Sequence, residues 1–520
     1  SPHPMSSSDS HLPDKKLFWA CFVALVATSF VFSVRSMVIG DWATEFNLTE
    51  TQKGQILGAG LWPFAITIVL FSLIIDKIGY KRAAYFAIFC QVASTIVIIF
   101  ANGYKMLWLG SFIVALGNGT VEAYINPVVA TMYKKDKTKW LNILHAGWPL
   151  GLVLGGLVAI LLKEQSWQLK MGLLLVPIVI YTILTIPRKF PVNERVAAGV
   201  SYRDMLKEVG VLGFAIIGFL MFSELGRVAV ESGWIGSWTV WHTVALTGAV
   251  LVAVGIYTKS AGAPIFLIML VTIGPLATTE LGTDTWITDL MGPEMEKLGV
   301  NAGWVLVYTS LIMTVLRFCA GPIVHRLSPL GLLAVSAVLS IGGLIFLSKA
   351  VGIIILVAAT LYGFGKTFLW PTTLGIVAER FPKGGALTLN GVSAVGVLFM
   401  GIVGAPLIGL VQDQSVDADL RETAPEIHQS IAGEPREAIL GLTVPTIDTE
   451  KLAALPEETQ AVVAEVRDGE KKATLAKIAV LPAFMLLCYL GLLAWFKSQG
   501  GYKPVELARE HAEEEAEPGF

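Results

Sequence analysis

Charged residues are scarce in this sequence of 520 residues. Asp, Glu, Lys and Arg together make up 15% of it, whereas a soluble globular protein carries about 25%. The 38 basic and 40 acidic residues leave a formal net charge of −2, so no bulk field selects a polyanionic partner. This composition excludes an ordinary soluble enzyme, a disordered chain and a nucleic-acid-binding protein.

Cysteine is also rare, and the usual signatures of catalysis are missing. The four cysteines, Cys21, Cys90, Cys319 and Cys488, each fall within an apolar run, which predicts buried free thiols rather than disulfides. The sequence has no Gly-rich phosphate loop ending in Lys-Ser/Thr and no His/Cys metal-ligand spacing. It therefore predicts no enzyme, no ATP-driven pump, no metal and no organic cofactor.

Long apolar runs are abundant instead, since hydrophobic residues make up 54% of the chain. A transmembrane helix needs roughly 20 mostly apolar residues, and fourteen runs qualify. They predict an all-α polytopic membrane protein with two six-helix repeat bundles and two inserted helices, with twelve spans as the alternative. The runs cover approximately 17–39, 54–75, 83–101, 106–133, 140–162, 169–186, 209–230, 234–257, 262–290, 303–324, 330–347, 353–378, 387–411 and 475–496.

The runs and the polar stretches between them divide the chain into predicted units. Within the one long loop, residues 449–472 have a helix-forming composition, and two interpretations remain open: a cap on the outer mouth, or a solvated loop. The units are a cytoplasmic tail (1–16), an N-terminal bundle (17–187), a cytoplasmic linker (188–208), the two inserted helices (209–258), a C-terminal bundle (259–411 and 473–497), an extracytoplasmic loop (412–472) and an acidic cytoplasmic tail (498–520).

The distribution of Lys and Arg predicts the orientation. If the N-terminus is cytoplasmic, most basic residues fall in cytoplasmic segments, including Lys81, Arg82 and the linker cations Arg188 and Lys189. Cytoplasmic loops carry such an excess. We therefore expect a multi-pass protein of the cytoplasmic (inner) membrane with both termini inside.

The two sets of six runs resemble each other in order. Residues 76–82 match 325–329, residues 117–120 match 363–366, and residues 141–145 match 389–393. Each match is weak alone, but all three follow the same sequence order. Two six-helix halves with parallel repeat symmetry are typical of transporters, whose solute site lies between the halves near the midplane.

Several motifs resemble a known family. The stretch Asp76-x-x-Gly79-x-Lys81-Arg82 is similar to the signature loop of the major facilitator superfamily. Other stretches resemble its fucose-permease-like sugar/proton symporter branch: Gly117-x-Gly119-x-x-Glu122-x-x-x-Asn126-Pro127, Asn142-x-x-His145, Glu280-x-Gly282-x-x-x-Trp286, Leu316-Arg317-Phe318 and Pro371.

This resemblance implies alternating access, with the first and fourth helices of each half lining a central cavity. It also implies that the 76–82 loop, with Asp76, Gly79, Lys81 and Arg82, latches the halves together on the cytoplasmic side. Arg317 is the implied second-half counterpart of this gate, with a structural role.

Four of the ionisable residues within predicted spans stand out: Arg35, Glu122, Glu280 and Lys366. They fall on the first and fourth helices of each half. Such residues are costly in a membrane, so they face a water-filled cavity or pair with one another. By their depth, Glu122 and Lys366 form a central tier, whereas Arg35 and Glu280 lie toward the outer end.

Glu122 is the candidate for proton coupling, because a carboxyl in a low dielectric can bind and release a proton near neutral pH. Lys366 is expected to attract the solute or to neutralise Glu122. An ion pair between Arg35 and Glu280 is expected to close the outer gate. Fixed structural salt bridges are the alternative for both tiers.

Polar and aromatic residues near these charges are further candidates for contact with the solute. Amides can hydrogen-bond solute hydroxyls, and indole rings can stack on a sugar face; helix packing is the alternative for each. His145 is a candidate proton relay. The predicted substrate-binding residues are Arg35, Glu122, Asn126, Asn142, Trp148, Glu280, Trp286, Lys366, Trp370 and Asn390.

The sequence thus predicts a monomeric, proton-coupled secondary transporter that takes up a small polar solute, a sugar or sugar acid. Its partners are this solute, protons and the lipid bilayer, with no nucleic acid, and the proton gradient replaces a cofactor. The first alternative is an organic-anion or drug/proton antiporter of the same fold. The second is a non-transporting membrane receptor or scaffold.

Overall fold

The structure, a computed structural model, describes residues 13–301, 303–439 and 442–507. Thirteen helical segments in this part of the chain are long and apolar enough to cross a membrane, and a pair bent by 67° makes a fourteenth if it is counted as one span. The predicted all-α polytopic fold is confirmed. The predicted tails lie outside the described residues at 1–12 and 508–520.

The first half of the chain folds into one helical bundle. A capping box formed by Thr49 and Gln52 starts its second span, and Gly60 ends the first segment of that span. The helices are α1 (Lys15–Phe46), α2 (Glu50–Ala59), α3 (Trp62–Ile78), α4 (Tyr80–Ile99), α5 (Tyr104–Met132), α6 (Lys137–Leu144), α7 (Gly147–Leu161), α8 (Trp167–Gly172) and α9 (Leu175–Thr185).

A linker with the short helix α10 (Glu194–Ala197) leads to two long helices, α11 (Tyr202–Glu231) and α12 (Val240–Thr258). Helix α11 begins seven residues before its predicted start. Its kink at Gly210 has φ +60°, and a Cβ there would lie 2.1 Å from the backbone nitrogen of Gly262. Glycine is therefore required where the chain returns to the second bundle.

The second half forms another bundle. Two of its helices are interrupted by π-helical turns, at Thr278–Gly282 and Met400–Gly404, and a 3₁₀ turn lies at Pro382–Gly384. Its helices are α13 (Pro264–Ala277), α14 (Thr283–Lys297), α15 (Gly303–Phe318), α16 (Ala320–Arg326), α17 (Pro329–Leu347), α18 (Ile354–Lys366), α19 (Leu369–Arg380), α20 (Gly385–Phe399), α21 (Ala405–Thr423) and, after the segment described next, α25 (Val480–Ser498).

The long loop predicted at 412–472 is a small folded unit. Helix α21 continues to Thr423, and the unit adds α22 (Pro425–Ile431), the strands β1 (Arg436–Ile439) and β2 (Leu442–Val444), α23 (Thr449–Ala453) and α24 (Glu457–Lys477). Its own apolar cluster contains Val416, Leu420, Ile431 and Val463. Helices therefore extend into the predicted loop from both ends, because polar residues continue them beyond the apolar runs.

Ion pairs attach this unit to the C-terminal bundle. Lys471 lies 3.0 Å from Asp289 of α14, and Lys472 lies 3.8 Å from Glu294. The unit occupies the end of the bundle opposite to that where α1 begins and α25 ends. We call the end with this unit the mouth face and the other end the terminal face.

The four cysteines are free thiols. Cys21 and Cys90 are buried as predicted, whereas Cys319 is exposed and Cys488 is half-buried. Cys319 lies at the bend between α15 and α16, where the helix turns away from its neighbours.

Candidate functional site

A cavity of 640 Å³ lies between the two bundles and opens at the mouth face. This volume falls within the range of about 300–1,000 Å³ typical of small-molecule sites. Its wall combines aromatic and aliphatic side chains with hydroxyl and amide groups. The aromatic lining residues are Phe32, Phe64 and Trp148, the polar ones are Ser33, Ser36, Asn118, Thr285, Thr288 and Asn301, and the charged ones are Lys163 and Asp284.

The bundles contact each other directly at the terminal face. The backbone nitrogen and hydroxyl of Thr138 donate to Glu379 Oε1 at 3.2 and 2.5 Å. Lys137 Nζ donates to the carbonyl of Ala378 at 3.0 Å and pairs with Glu194 of the linker at 2.7 Å. The structure is therefore open at the mouth face and closed at the terminal face.

Glu122 lies at the bottom of this cavity in a recess of 40 Å³. The recess shares Phe64 and Trp148 with the cavity, so the two lie next to each other. About 10–15 Å³ of such space suffices for one water molecule. The recess therefore admits a few waters and protons, whereas a sugar-sized solute stays in the cavity above.

Glu122, Asn126 and His145 form a hydrogen-bonded chain. Asn126 Nδ2 donates to Glu122 Oε1 at 3.0 Å, and its Oδ1 lies 2.8 Å from His145 Nε2. Since the amide nitrogen is used on Glu122, the amide oxygen must accept, and His145 Nε2 must carry the hydrogen. Among the described residues no cation lies within ion-pair distance of Glu122.

Arg317 lies at the centre of the protein and is fully buried, whereas the sequence placed it with the cytoplasmic gate. Its Nη2 donates to Glu280 Oε1 at 2.7 Å. Its Nε donates to the carbonyl of Thr367 at 2.6 Å, and its Nη1 to the carbonyl of His145 in the other bundle at 2.8 Å. In this structure, which is open at the mouth face, Glu280 therefore pairs with Arg317 and not with the predicted partner Arg35.

Prolines explain why these carbonyls are available. A helical carbonyl normally accepts from the amide four residues later, and proline has no amide hydrogen. Pro149 follows His145 by four residues, and Pro371 follows Thr367 by four. Each of these two carbonyls accepts from Arg317, and the His145 carbonyl also accepts from the amide of Trp148 at 3.3 Å.

The same spacing recurs where the bundles meet. Pro127 follows Ala123 by four residues, and Asn390 Nδ2 of the other bundle donates to the Ala123 carbonyl at 2.9 Å. Pro382 likewise follows Ala378, the acceptor for Lys137. Proline thus exposes three backbone acceptors, at His145, Ala123 and Ala378, that link one bundle to the other.

We expect Pro149→Ala to weaken the closed terminal face. The new amide would compete with Arg317 for the His145 carbonyl, at a cost of about 1 kcal/mol, or roughly a fivefold shift toward the state with a closed mouth. Spin labels on cysteines at Lys163 and Asn301, in a cysteine-free background, report the width of the mouth. Pro293→Ala in α14 is the control, since no described side chain donates to the carbonyl of Asp289; an equal shift there would contradict the explanation.

Lys366 pairs with Asp284, and its Nζ also donates to Thr309 Oγ1 at 3.3 Å. The ring of Tyr362 lies 5.0 Å from the same nitrogen. Lys366 is fully buried and its partner is Asp284 rather than Glu122; its contact with the solute stays a prediction. Asp284 was missed, although it lies in the predicted span 262–290 and the rule that selected Glu280 applies to it.

Arg35 is buried beside the break between α2 and α3. Its Nη2 donates to the carbonyl of Ile56 at 2.8 Å, and a Cβ on Gly60 would lie 1.8 Å from its Nη1. It thus packs on the backbone of Gly60 instead of pairing with Glu280. Gly60 lines the cavity, which leaves Arg35 directly behind the cavity wall.

The other predicted solute contacts fall in different places. Trp148 lines the cavity and Trp370 the recess. Trp286 packs against Gly409 of α21. Asn142 donates to Thr372 Oγ1 across the terminal face at 3.1 Å, as Asn390 does to Ala123. In this structure both amides therefore link the two bundles, and their contact with solute hydroxyls stays a prediction.

The 76–82 loop contacts the linker between the bundles. Gly79 has φ +86° and joins α3 to α4, and Asp76 pairs with Arg195 at 2.7 Å. Lys81 Nζ donates to the carbonyls of Ile186 and Arg188, and Arg82 is exposed. The loop therefore reaches the second bundle through the linker, a route that the sequence did not indicate.

A family profile described as Major Facilitator Superfamily matches residues 20–405. The chain belongs to the major facilitator superfamily. The predicted family is confirmed, and with it the prediction that the protein is a transporter of many spans rather than an enzyme. Among the described residues no group of His, Cys, Asp and Glu is arranged to hold a metal ion.

Curated superfamily members resemble parts of this chain. A TsgA homolog of Buchnera aphidicola is 25% identical over 185 residues, or 34% of this chain and 47% of that protein. The gentisate transporter of Corynebacterium glutamicum is 23% identical, over 26% of this chain and 32% of its own length. A probable 4-methylmuconolactone transporter of Cupriavidus pinatubonensis is 26% identical, over 30% and 37% respectively. The matches span less than half the length of each relative.

Solved superfamily structures show the same fold over most of the chain. The human organic anion transporter MFSD10 has a TM-score of 0.57 at 10% identity and covers 91% of this chain and 99% of its own. The fucose:proton symporter FucP of E. coli has a TM-score of 0.51 at 14% identity, with 89% and 98% covered. The proton:xylose symporter XylE has a TM-score of 0.57 at 12% identity, with 91% and 95% covered.

Proposed function

We propose that the protein is a proton-coupled symporter that carries a small polar solute, a sugar or sugar acid, inward across the cytoplasmic membrane by alternating access. The observation that carries this proposal is that the buried Glu122 recess lies directly beside an open cavity and shares wall residues with it. A solute in the cavity and a proton on Glu122 share one route from the mouth face. Both are shielded from the terminal face by the contacts at Thr138 and Lys137.

The orientation belongs to the same proposal. The terminal face carries the cations of the 76–82 loop and of the linker, including Lys81, Arg188 and Lys189. Because positive residues mark the cytoplasmic side, we place the terminal face in the cytoplasm. The mouth face and the unit at 405–477 are then extracytoplasmic, and the state seen here is outward-open.

The cavity wall supports a solute with hydroxyl groups and an apolar ring face. Its hydroxyl groups can form hydrogen bonds with the polar groups of the wall. These are the hydroxyls of Ser33, Ser36 and Thr288 and the amide of Asn118. The indole ring of Trp148 lines the cavity, and the apolar face of a solute ring can stack on it. In this proposal the solute binds above Glu122, and protonation of Glu122 removes a buried charge before the cavity closes.

A second candidate is transport of an organic acid, in symport or antiport. Lys163 is the cation of the cavity wall, with Arg35 behind Gly60, and either can attract a carboxylate. Two of the matched relatives are named as transporters of gentisate and 4-methylmuconolactone. Both observations favour an acid over a neutral sugar.

Uptake into proteoliposomes tests both candidates. The panel contains neutral sugars, sugar acids and hydroxylated aromatic acids, each with and without an acidic outside. We expect one class to accumulate only with the proton gradient. Accumulation with a reversed gradient would identify antiport, and the absence of movement and exchange with every solute would favour the receptor alternative.

A further inference from the structure

A second cavity, of 480 Å³, lies at the terminal face between the end of α3, the start of α4 and the linker. We call it the linker cavity. It is separate from the solute cavity and shares no lining residue with it or with the recess. Its lining residues are Ile75, Asp76, Gly79, Tyr80, Lys81 and residues 188–193.

The linker cavity has an excess of positive charge. Its one carboxylate, Asp76, is already paired with Arg195 at 2.7 Å. Lys81 Nζ donates to the carbonyls of Ile186 and Arg188 at 2.8 and 2.9 Å, which fixes its position without neutralising it. Lys189 is exposed beside it, so the charges of Lys81 and Lys189 meet no carboxylate in the described part of the chain.

Arg188 supplies an unused donor. Its Nη1 lies 3.8 Å from Asp14, a long contact with a half-exposed partner. Its Nε is buried and has no hydrogen-bond partner among the described residues. A buried donor without a hydrogen-bond partner is destabilising, and an anion bound in the linker cavity would supply the missing acceptor.

The surroundings show which kind of anion fits. Helix α9 presents an exposed apolar row, Val176, Val179, Ile183 and Ile186, that ends at Arg188. Val192 on the cavity wall is also 63% exposed. Cations at the end of an apolar, bilayer-facing row match an amphiphile whose acyl chains follow the row and whose head is anionic.

We infer that the linker cavity binds the phosphodiester headgroup of an anionic phospholipid. Arg188, Lys189 and Lys81 hold the phosphate, and the acyl chains lie along α9. The lipid joins α4 to the linker, whose Glu194 pairs with Lys137 at the contact between the bundles. Bound lipid therefore stabilises the closed terminal face.

Native mass spectrometry of the whole detergent-purified protein, titrated with phosphatidylglycerol, tests the inference independently of any transported solute. Each cation near an anionic lipid surface contributes about fivefold to binding. We therefore expect R188Q/K189Q to bind phosphatidylglycerol about 25-fold more weakly. K134Q/K135Q removes two exposed cations outside the linker cavity, and it should bind like the unmodified protein.

Two further ligands distinguish the sources of a phosphate group. Phosphatidylcholine should bind weakly and equally to all variants, and sn-glycerol 3-phosphate should not displace phosphatidylglycerol at millimolar concentration. Equal losses in both double variants, equal binding of the two lipids, or displacement by glycerol phosphate would each overturn the proposal. If R188Q/K189Q fails to fold, R188K and a salt titration of the unmodified protein take the place of that variant. If R188K keeps full affinity for phosphatidylglycerol at high salt, the proposal is overturned as well.

Discussion

Glu122→Gln is expected to abolish uphill accumulation of solute while leaving exchange of solute across the membrane. The glutamine side chain has the same shape as glutamate, and its carbonyl oxygen can still accept the hydrogen bond from Asn126. The recess therefore keeps its geometry. It cannot carry a proton in and release it. The solute then moves only down its own gradient.

The size of the effect follows from the driving force. One pH unit corresponds to about 1.4 kcal/mol, or a tenfold accumulation for a symporter that moves one proton per solute. In proteoliposomes with an outside one pH unit more acidic, the ratio should fall from about ten to about one. Counterflow of labelled solute should persist.

The matched control for this variant is Glu224→Gln. Glu224 is also a buried glutamate within a helix, but it lies in α11 and binds Arg227 at 2.6 Å, away from the cavity. It should accumulate solute like the unmodified protein. Full accumulation by E122Q would refute the role of Glu122 in coupling, and loss in both variants would point to a general defect of folding.

The pair of Lys366 and Asp284 is expected to behave as a structural unit in a double-mutant cycle. Lys366→Met leaves Asp284 without its cation, and Asp284→Asn leaves a fully buried ammonium without its carboxylate. Removing one partner of a buried pair costs about 3–5 kcal/mol, whereas removing both can be nearly neutral. The double variant should therefore be more stable than either single variant.

Thermal unfolding of the four proteins in detergent measures this coupling. The exposed pair Asp204–Lys207 at the start of α11, 2.8 Å apart, is the control, because an exposed pair contributes at most about 1 kcal/mol. Additive losses at Lys366 and Asp284 would contradict a fixed pair. If the K366M protein keeps its stability but loses solute uptake, the result would instead support a role of Lys366 in solute binding.

The comparison with the sequence differs between Glu122 and Arg317. Glu122 was found as a glutamate in a predicted span, and the structure places it beside His145 and Asn126, both selected from the same motifs. Arg317 was assigned to the gate because the family resemblance implied that it is the second-half counterpart of the 76–82 loop. Its helix ends at Phe318, just before the bend at Cys319, and the fold buries Arg317 between the two bundles beside Glu280.

Interrupted helices account for most of the contacts between the bundles that the sequence did not predict. Pro149 and Pro371 show in the sequence where helices are interrupted. Their spacing to His145 and Thr367 identifies the carbonyls that lack a helical donor, but the sequence does not show which side chain donates to them. The donors come from distant segments: Asn390 reaches Ala123 across 267 positions of the chain. Periodicity along one helix carries no information about such a partner.

The sequence by itself determined the class of protein, the number of spans to within one, the family and the identity of the buried acid at the centre. These properties depend on composition and local runs, because a bilayer requires about 20 apolar residues per span and makes every buried charge conspicuous. The tertiary structure alone decided the pairing of those charges, with Arg317 on Glu280 and Lys366 on Asp284. It also decided which face is closed, since a buried charge pairs with whichever opposite charge the folded helices bring nearest.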